Sequence, residues 1–388
     1  MKKILSGNRA AAEAVRLSKV EVVAAYPITP QSEIVETIFG FIADGSLKAD
    51  FIRVEGEHTA LAALIGAAMA GSRTFTATSS QGLLYMDEMV HWAAGQRVPI
   101  VMVLVNRAIG PPWSIWSDHQ DAVSMSLTGW NIMFASNQQD VLDTVIQAYE
   151  ISEDSDIHIP TMVCVDGFNL SHKSARVEVP EQAKVDEFLT NRPNVYLDVE
   201  NPATFNSIIL PERSFMEYKY KVAEAIQRSK SKIVETANRF KDKFGRFHGD
   251  LINTYRCEDA EAVFVSAGIL ADQAELAVDK MRDDGKNIGS VKIRAYRPFP
   301  TEEFRKLADS GIEKFLVFDK NINFGMEGGA MFTDLKAALY NYDGSSRPDI
   351  QGVISGIGGR NVSIDQQCTT MNRFLEGRTI EKWIGLHR

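Results

Sequence analysis

The 388 residues are enough for two or three domains, and 45% hydrophobic with 24% charged residues suits neither a disordered nor a fibrous chain. A net charge of −9 argues against a general nucleic-acid or anionic-membrane surface. No apolar run reaches the roughly 18–20 residues that a membrane span needs. The opening MKKILSGNRAAAEAVRLSK lacks the apolar core and cleavage site of a secretory leader, so a cytoplasmic chain is expected. Cys164, Cys257 and Cys368 are scattered, form no zinc or cluster-binding pattern, and read as reduced thiols.

In chain order, VEVVAAYP (20–27) is a short apolar run broken by proline. HTALAALIGAAMAG (58–71) is small and apolar on nearly every side, as a helix packed between a sheet and another surface would be. TFTATSS (74–80) reads as a strand entering a polar turn, and LLYMDEMVHWAAGQ (83–96) has helical periodicity. PIVMVLVNR (99–107) is a buried strand by its β-branched content. DVLDTVIQAYEISED (140–154) is an amphipathic helix, followed by the strand PTMVCVDG (160–167). Such alternation predicts a parallel α/β sheet, with functional loops at the strand ends YPITP, TSSQG and NRAIGPPWSIWSDHQD. From 174 to 213 the composition suggests an extended linker, and 211–247 one long charged helix acting as a strut. A second α/β unit starts near Asp259, with strands at 260–268, 290–300 and 315–321 and a helix at 269–285 closed by Gly285.

Three features could carry chemistry. Glu57 stands at the start of an almost charge-free helix. It is either a solvated first-turn carboxylate favoured by the helix dipole, or a carboxylate that can share a proton with a heterocyclic nitrogen. In YPITP, prolines flank Ile28 and Thr29, giving either an ordinary rigid loop or a turn that presents the Thr29 hydroxyl to a substrate. Arg107 ends a buried strand and needs a partner there, either an internal acid such as Asp118 or Asp121 or a substrate carboxylate. Trp113 and Trp116 fit a core or a pocket wall, and His119 reads as a satisfied loop histidine.

AAYPITPQSEIVE, RVEGEHTALAALIGAAMAGSRTFTATSSQGL, DHQD, TGW, DGFNLSH, YRPFP and GIGGR together resemble the alpha subunits of the 2-oxoacid:ferredoxin oxidoreductases, in the same order along nearly the whole chain. The resemblance implies an α/β chain: a parallel-sheet domain binding the thiamine diphosphate pyrimidine (1–173), a linker with a long helix (174–256), and a domain like the C-terminal domain of transketolase (257–388). It makes Glu57 the catalytic partner of the aminopyrimidine, with Pro27 and Ile28 also at the cofactor. Thr29 and Arg107 would contact the oxoacid, with Trp113 beside them. The reaction implied is oxidative decarboxylation of a 2-oxoacid, with the acyl group passing to coenzyme A and electrons to iron–sulfur clusters.

No GDG with a later Asn is present to bind a diphosphate and its metal, and no cysteine set could hold a cluster. By the resemblance, Mg²⁺ and [4Fe-4S] clusters belong to partner chains: a beta subunit sharing the thiamine diphosphate, a gamma subunit and a ferredoxin-like delta subunit. Ferredoxin, or NAD through a flavin subunit, would accept the electrons, and a dimer of heteromers is expected. IGPPWSIW differs from the small polar loop of pyruvate members and resembles branched-chain (2-oxoisovalerate) or aromatic-oxoacid members, with pyruvate the alternative. The glycine-rich GIGGR (356–360) and FGMEGG (324–329) read as tight turns, with subunit contact or a coenzyme A phosphate at Arg360 as the other reading. A scaffold that had kept this fold without its chemistry would be expected to lose Glu57, Thr29 or Arg107. A Rossmann dehydrogenase is disfavoured because no GxGxxG follows the first strand.

Overall fold

The computed structural model describes residues 1–198, 200–202, 214–342, 344 and 347–387. The first half runs β1 (Lys2–Ser6), α1 (Gly7–Leu17), β2 (Val22–Ala24), α2 (Ser32–Ala43), β3 (Asp50–Ile52), α3 (Glu57–Met69) and β4 (Thr74–Thr78). It continues through α4 (Ser80–Tyr85), α5 (Asp87–Gly95), β5 (Ile100–Asn106), α6 (Gln120–Ser124), β6 (Asn131–Ala135), α7 (Gln138–Ser152) and β7 (Thr161–Asp166). Then come β8 (Ser174–Glu178), α8 (Gln182–Phe188) and α9 (Phe215–Phe244). The remainder is β9 (Ile252–Tyr255), β10 (Ala262–Ser266), α10 (Ile269–Asp283), β11 (Ile288–Ile293), β12 (Ala295–Arg297), α11 (Thr301–Asp309), β13 (Lys314–Asp319), α12 (Ala330–Tyr340), β14 (Asp349–Ile354) and α13 (Ile364–Leu375).

Two mostly parallel sheets result. One has the order β12-β6-β7-β5-β4-β2-β3 and the other β14-β13-β10-β11-β9, with β12 and β9 the antiparallel edges. Every residue of β4, β5, β6 and β7 is buried, because helices cover both faces and leave no side for polar alternation. One face packs on α1, α2 and α7 through Val15, Ile34, Val103 and Ile146. The other face packs on α3 and α5, and its apolar cluster runs on without a break into Val263, Val291 and Val317 of the second sheet.

Several expectations need revising. The apolar run 83–96 is two helices, because the chain turns at Met86, where α4 ends and α5 starts. The stretch from 174 is not simply extended: β8 pairs antiparallel with β1, and α8 buries Val185 and Phe188. The expected helix at 211–247 begins partly outside the described residues, and the described helix stops at Gly245, whose φ of 71° is left-handed. It is also more than a strut. Its stripe of Val222, Ala225, Ser229, Ile233, Ala237 and Phe240 is buried at helical spacing. The strand expected at 290–300 splits at Arg294. This fully buried side chain donates to Thr144 Oγ1 (3.0 Å) and Gln147 Oε1 (3.2 Å), and β12 leaves the second sheet to pair with β6 of the first.

The strand ends of the two sheets meet at Asp166, the last residue of β7. Its fully buried carboxylate accepts from Ser117 Oγ (2.9 Å) and from the first amide of α10 (2.9 Å), pairs with Lys320 just beyond β13, and lies 3.2 Å from His119 Nε2. Burial works to raise its pKa, but Lys320 and His119 together hold it well below the usual carboxylate range. Lys320→Met should therefore lower stability by about 3–5 kcal/mol near neutral pH, since it leaves a buried charge unpaired. A depressed native pKa contributes stability above the unfolded value near 3.8 that is lost as pH falls through the native value. The gap between wild type and variant should accordingly shrink in acid, as measured by denaturant unfolding at several pH values; a constant gap would speak against the pairing.

Candidate active site

Glu57 opens α3. The preceding Gly56 is extended and offers no capping side chain, so the Glu57 carboxyl lies beside the positive end of the helix. Its side chain is buried, with 8% of the residue exposed, and it has no hydrogen-bond or ion-pair partner among the described residues. The 79–82 turn after β4 closes over it. A Cβ placed on Gly82 would stand 2.5 Å from Glu57 Oε1 and 2.6 Å from Thr78 Oγ1, so only glycine lets that backbone approach. Thr78 Oγ1 is likewise buried without a partner. Tyr85 packs against Gly56, and His58 next door reaches out to Glu88 (3.3 Å).

Arg107 follows β5 and is 2% exposed. Its guanidinium donates to the carbonyls of Thr29 (2.9 Å) and Ser114 (3.1 Å) and lies 4.8 Å from the centre of the Trp113 ring. Among the described residues no carboxylate pairs with it, and burial draws its pKa downward despite the pull of Asp121. Asp118 and Asp121, the two internal acids considered for it, are otherwise engaged. Asp118 accepts from the backbone of Gln120 (3.1 Å) and Gly358 (3.4 Å), whereas Asp121 takes the Arg107 backbone amide. Thr29 is exposed in its turn, held there as Gln31 donates to the Ile28 carbonyl (2.9 Å) and Asn8 to that of Pro30 (2.9 Å). The Thr29 carbonyl, rather than its hydroxyl, meets Arg107; the hydroxyl has no partner among the described residues.

Thr29 and Trp113 thus both contact Arg107. Glu57 lies behind the 79–82 turn, which joins that group through Ser80 Oγ to the Ala108 carbonyl (2.7 Å). Pro27 and Ile28 shape the Thr29 turn. Trp113 is 76% exposed, so it is not core, and the Trp116 ring packs at a tilt against Phe168, centroids 4.7 Å apart. His119 is buried and satisfied against Asp166. Among the described residues no three His, Cys, Asp or Glu side chains converge as metal ligands.

Asp121 joins the two parts. It is fully buried and receives four N–H donors: Asn106 Nδ2 (2.8 Å) and the backbone amides of Ala122 (2.8 Å), Arg107 (3.0 Å) and Ser80 (3.1 Å). The sequence signal for it was only an acid in DHQD; its role depends on two strand ends meeting in space. Burial pushes its pKa up to about 7, against the pull of those donors. A carboxylate with a raised native pKa contributes most to stability below its unfolded value near 3.8, and that contribution is lost as pH rises through about 7. Asp121→Asn should be less stable by about 1–3 kcal/mol at pH 5, because an amide cannot accept all four bonds. The deficit should narrow toward pH 8, where wild type has lost its advantage. Melting curves across this range check the sign, and a deficit that stayed constant from pH 5 to 8 would mean an ordinary Asp121 pKa.

Comparison with known proteins agrees with this architecture. Residues 13–238 match the family described as "Pyruvate flavodoxin/ferredoxin oxidoreductase, thiamine diP-bdg", and residues 260–367 match "Pyruvate:ferredoxin oxidoreductase core domain II". The chain is 45% identical to the ketoisovalerate oxidoreductase subunit VorA of Pyrococcus horikoshii, covering 100% of this chain and 99% of that one. It is 43% identical to the pyruvate synthase subunit PorA of Methanothermobacter thermautotrophicus, covering 99% and 98%. A solved 2-oxoglutarate:ferredoxin oxidoreductase from Magnetococcus marinus superposes with a TM-score of 0.70 at 17% identity, over 97% of this chain and 65% of that longer one. A split-gene transketolase superposes with a TM-score of 0.56 at 10% identity, over 97% and 99%, which is a likeness of fold. The chain belongs to the 2-oxoacid:ferredoxin oxidoreductase family, among its alpha subunits.

Proposed function

We propose that this alpha subunit supplies Glu57 to the pyrimidine end of thiamine diphosphate, and Arg107, Thr29 and Trp113 to the 2-oxoacid, in a site completed by a partner chain. The observation that carries this reading is a pair of unanswered charges. Among the described residues Glu57 is buried without a partner and Arg107 is a cation without an acid, on either side of one turn at the parallel strand ends. The buried Glu57 carboxyl, without a partner among the described residues, fits an aminopyrimidine nitrogen, and a side chain at Gly82 would collide with that carboxyl. When bound, thiamine diphosphate supplies the carbon nucleophile that 2-oxoacid decarboxylation requires. Glu57 shares a proton with the ring nitrogen, Pro27 and Ile28 bound the cofactor side, Arg107 pairs with the substrate carboxylate, and the Thr29 hydroxyl donates to the substrate.

The sequence has no diphosphate–metal signature and no cluster-binding cysteines, which supports placing Mg²⁺ and [4Fe-4S] clusters on beta, gamma and ferredoxin-like delta subunits. The acceptor is then ferredoxin, or NAD through a flavin subunit, and the acyl group passes to coenzyme A. Tyr85 against Gly56 and Trp113 over Arg107 are exposed rings beside the two halves of the site, where a docking beta subunit would cover them.

A branched-chain or aromatic 2-oxoacid is the favoured substrate, with the Trp113 ring as an apolar wall beside Arg107. The same stacking also narrows the site, which favours pyruvate as the second reading. Rates of the reconstituted complex on 2-oxoisovalerate, phenylglyoxylate and pyruvate decide between them; a clear lead for pyruvate in kcat/KM would rule out the first. Glu57→Gln keeps the volume but removes the proton-sharing oxygen. It should lower kcat by about 10²–10⁴-fold at saturating cofactor while leaving assembly intact. Near wild-type turnover would remove Glu57 from the mechanism.

A further inference from the structure

We propose that Gly359, in the turn after β14, is a positioning residue for 2-oxoacid binding: from the second sheet it holds the loop that aims Arg107. This rests on the reading of Arg107 as the partner of the substrate carboxylate. The loop crosses between the two halves of the chain. Gly359 N–H donates to the Ser117 carbonyl (2.7 Å), and Gly358 N–H reaches Asp118 Oδ2 (3.4 Å). Gly359 has φ +77, and a Cβ there would lie 2.6 Å from Trp116 Cβ and 3.3 Å from its Cγ. Both Cβ atoms are fixed to backbone, so neither can swing aside. A shift of Trp116 would also disturb its tilted ring contact with Phe168, whose centroid lies 4.7 Å away.

What moves Trp116 also moves the substrate side of the loop. The Trp116 carbonyl accepts from the Ala108 amide (2.9 Å), one residue beyond Arg107, and the Ser114 carbonyl accepts from Arg107 Nε (3.1 Å). Trp113, whose ring covers the guanidinium at 4.8 Å, lies on the same segment. A displacement of 114–117 by a fraction of an ångström therefore reaches the cation through its backbone neighbour, its carbonyl acceptor and its aromatic cover. The 79–82 turn meets this segment through the Ser80–Ala108 bond but is also anchored to Asp121, and Glu57 contacts the turn rather than the 114–117 segment, so the effect should fall mainly on substrate binding.

The test uses the assembled complex. Gly359→Ala should raise KM for the 2-oxoacid about tenfold, while kcat, KM for coenzyme A and the half-saturating thiamine diphosphate concentration stay within about twofold. Gly285→Ala is the control. Its φ is +79 with no described residue within 4 Å of the added Cβ, so it imposes the same backbone strain without touching the loop, and KM should remain that of wild type. Adding Trp116→Gly to Gly359→Ala removes the collision and should return KM to that of Trp116→Gly alone. If Gly359→Ala does not assemble, Trp116→Gly, which opens the other side of the contact, should itself raise KM. An unchanged KM in the variant that assembles overturns the proposal, as do an equal rise in Gly285→Ala or a parallel loss in kcat and cofactor affinity. Arg107→Lys separates the two levels of inference. If it raises KM where Gly359→Ala does not, only the positioning role fails; if neither changes KM, the reading of Arg107 fails with it.

Discussion

A carboxylate with none of its surface exposed has to be answered by charge and hydrogen bonds from wherever the fold can bring them, and Asp166 is answered from both sheets. Ser117 and His119 come from the loop after β5, Lys320 from the end of β13, and the Ile269 amide from the start of α10. Those contacts bring the C-terminal ends of two parallel sheets together, at the ends where α/β folds place their working loops. The loop carrying Trp113 and Trp116 is therefore gripped at its stem by both halves, while Trp113 itself stands in solvent. An apolar interface of the same area would bury as much surface without fixing which loop faces which. Directional bonds to one buried charge do fix it.

The parts of the fold legible in the sequence are those whose burial is complete and whose partners are nearby in the chain. TFTAT reads as a strand and IVMVLVN as a buried one, both covered on both faces in the fold, and α7 and α10 read as helices from their own periodicity. The failures share a cause. The break at Met86, the pairing of β8 with β1 and the crossing of β12 into the first sheet are all settled by distant residues. Around Arg294 local pattern suggests one continuous strand. A buried guanidinium bonded to Thr144 and Gln147 of α7 instead anchors a corner there, and no window of the sequence contains both ends of that contact.

The candidate site divides in the same way. Glu57 was legible because an acid at the start of an almost charge-free helix is conspicuous, and Arg107 because a cation after a buried strand demands explanation. The sequence left open whether Arg107 pairs internally; in the fold Asp121 takes the backbone amide, and among the described residues the guanidinium has no acid. The contributions of Asp121, Gly82 and Gly359 could not be read in advance. Each acts through a close approach between segments that meet only after folding, and an Asp or Gly in a turn is ordinary in composition.

Within the proposed function, the half-built character of the site follows from electrostatics. A single chain that neutralised Arg107 with its own acid would have to break that pair each time a substrate carboxylate bound, giving up much of the attraction. Satisfying the cation with the carbonyl oxygens of Thr29 and Ser114 and with the Trp113 ring stabilises it without supplying a competing anion. Glu57 obeys the complementary rule: an internal donor would hold its carboxylate ionised and fully bonded, with no capacity left for a ring nitrogen. Both groups gain their strongest partners only when ligand and a neighbouring chain exclude water around them, where each interaction strengthens as the local dielectric falls. Leaving Glu57 and Arg107 unanswered in one chain thus keeps that strengthening for the assembled, loaded complex.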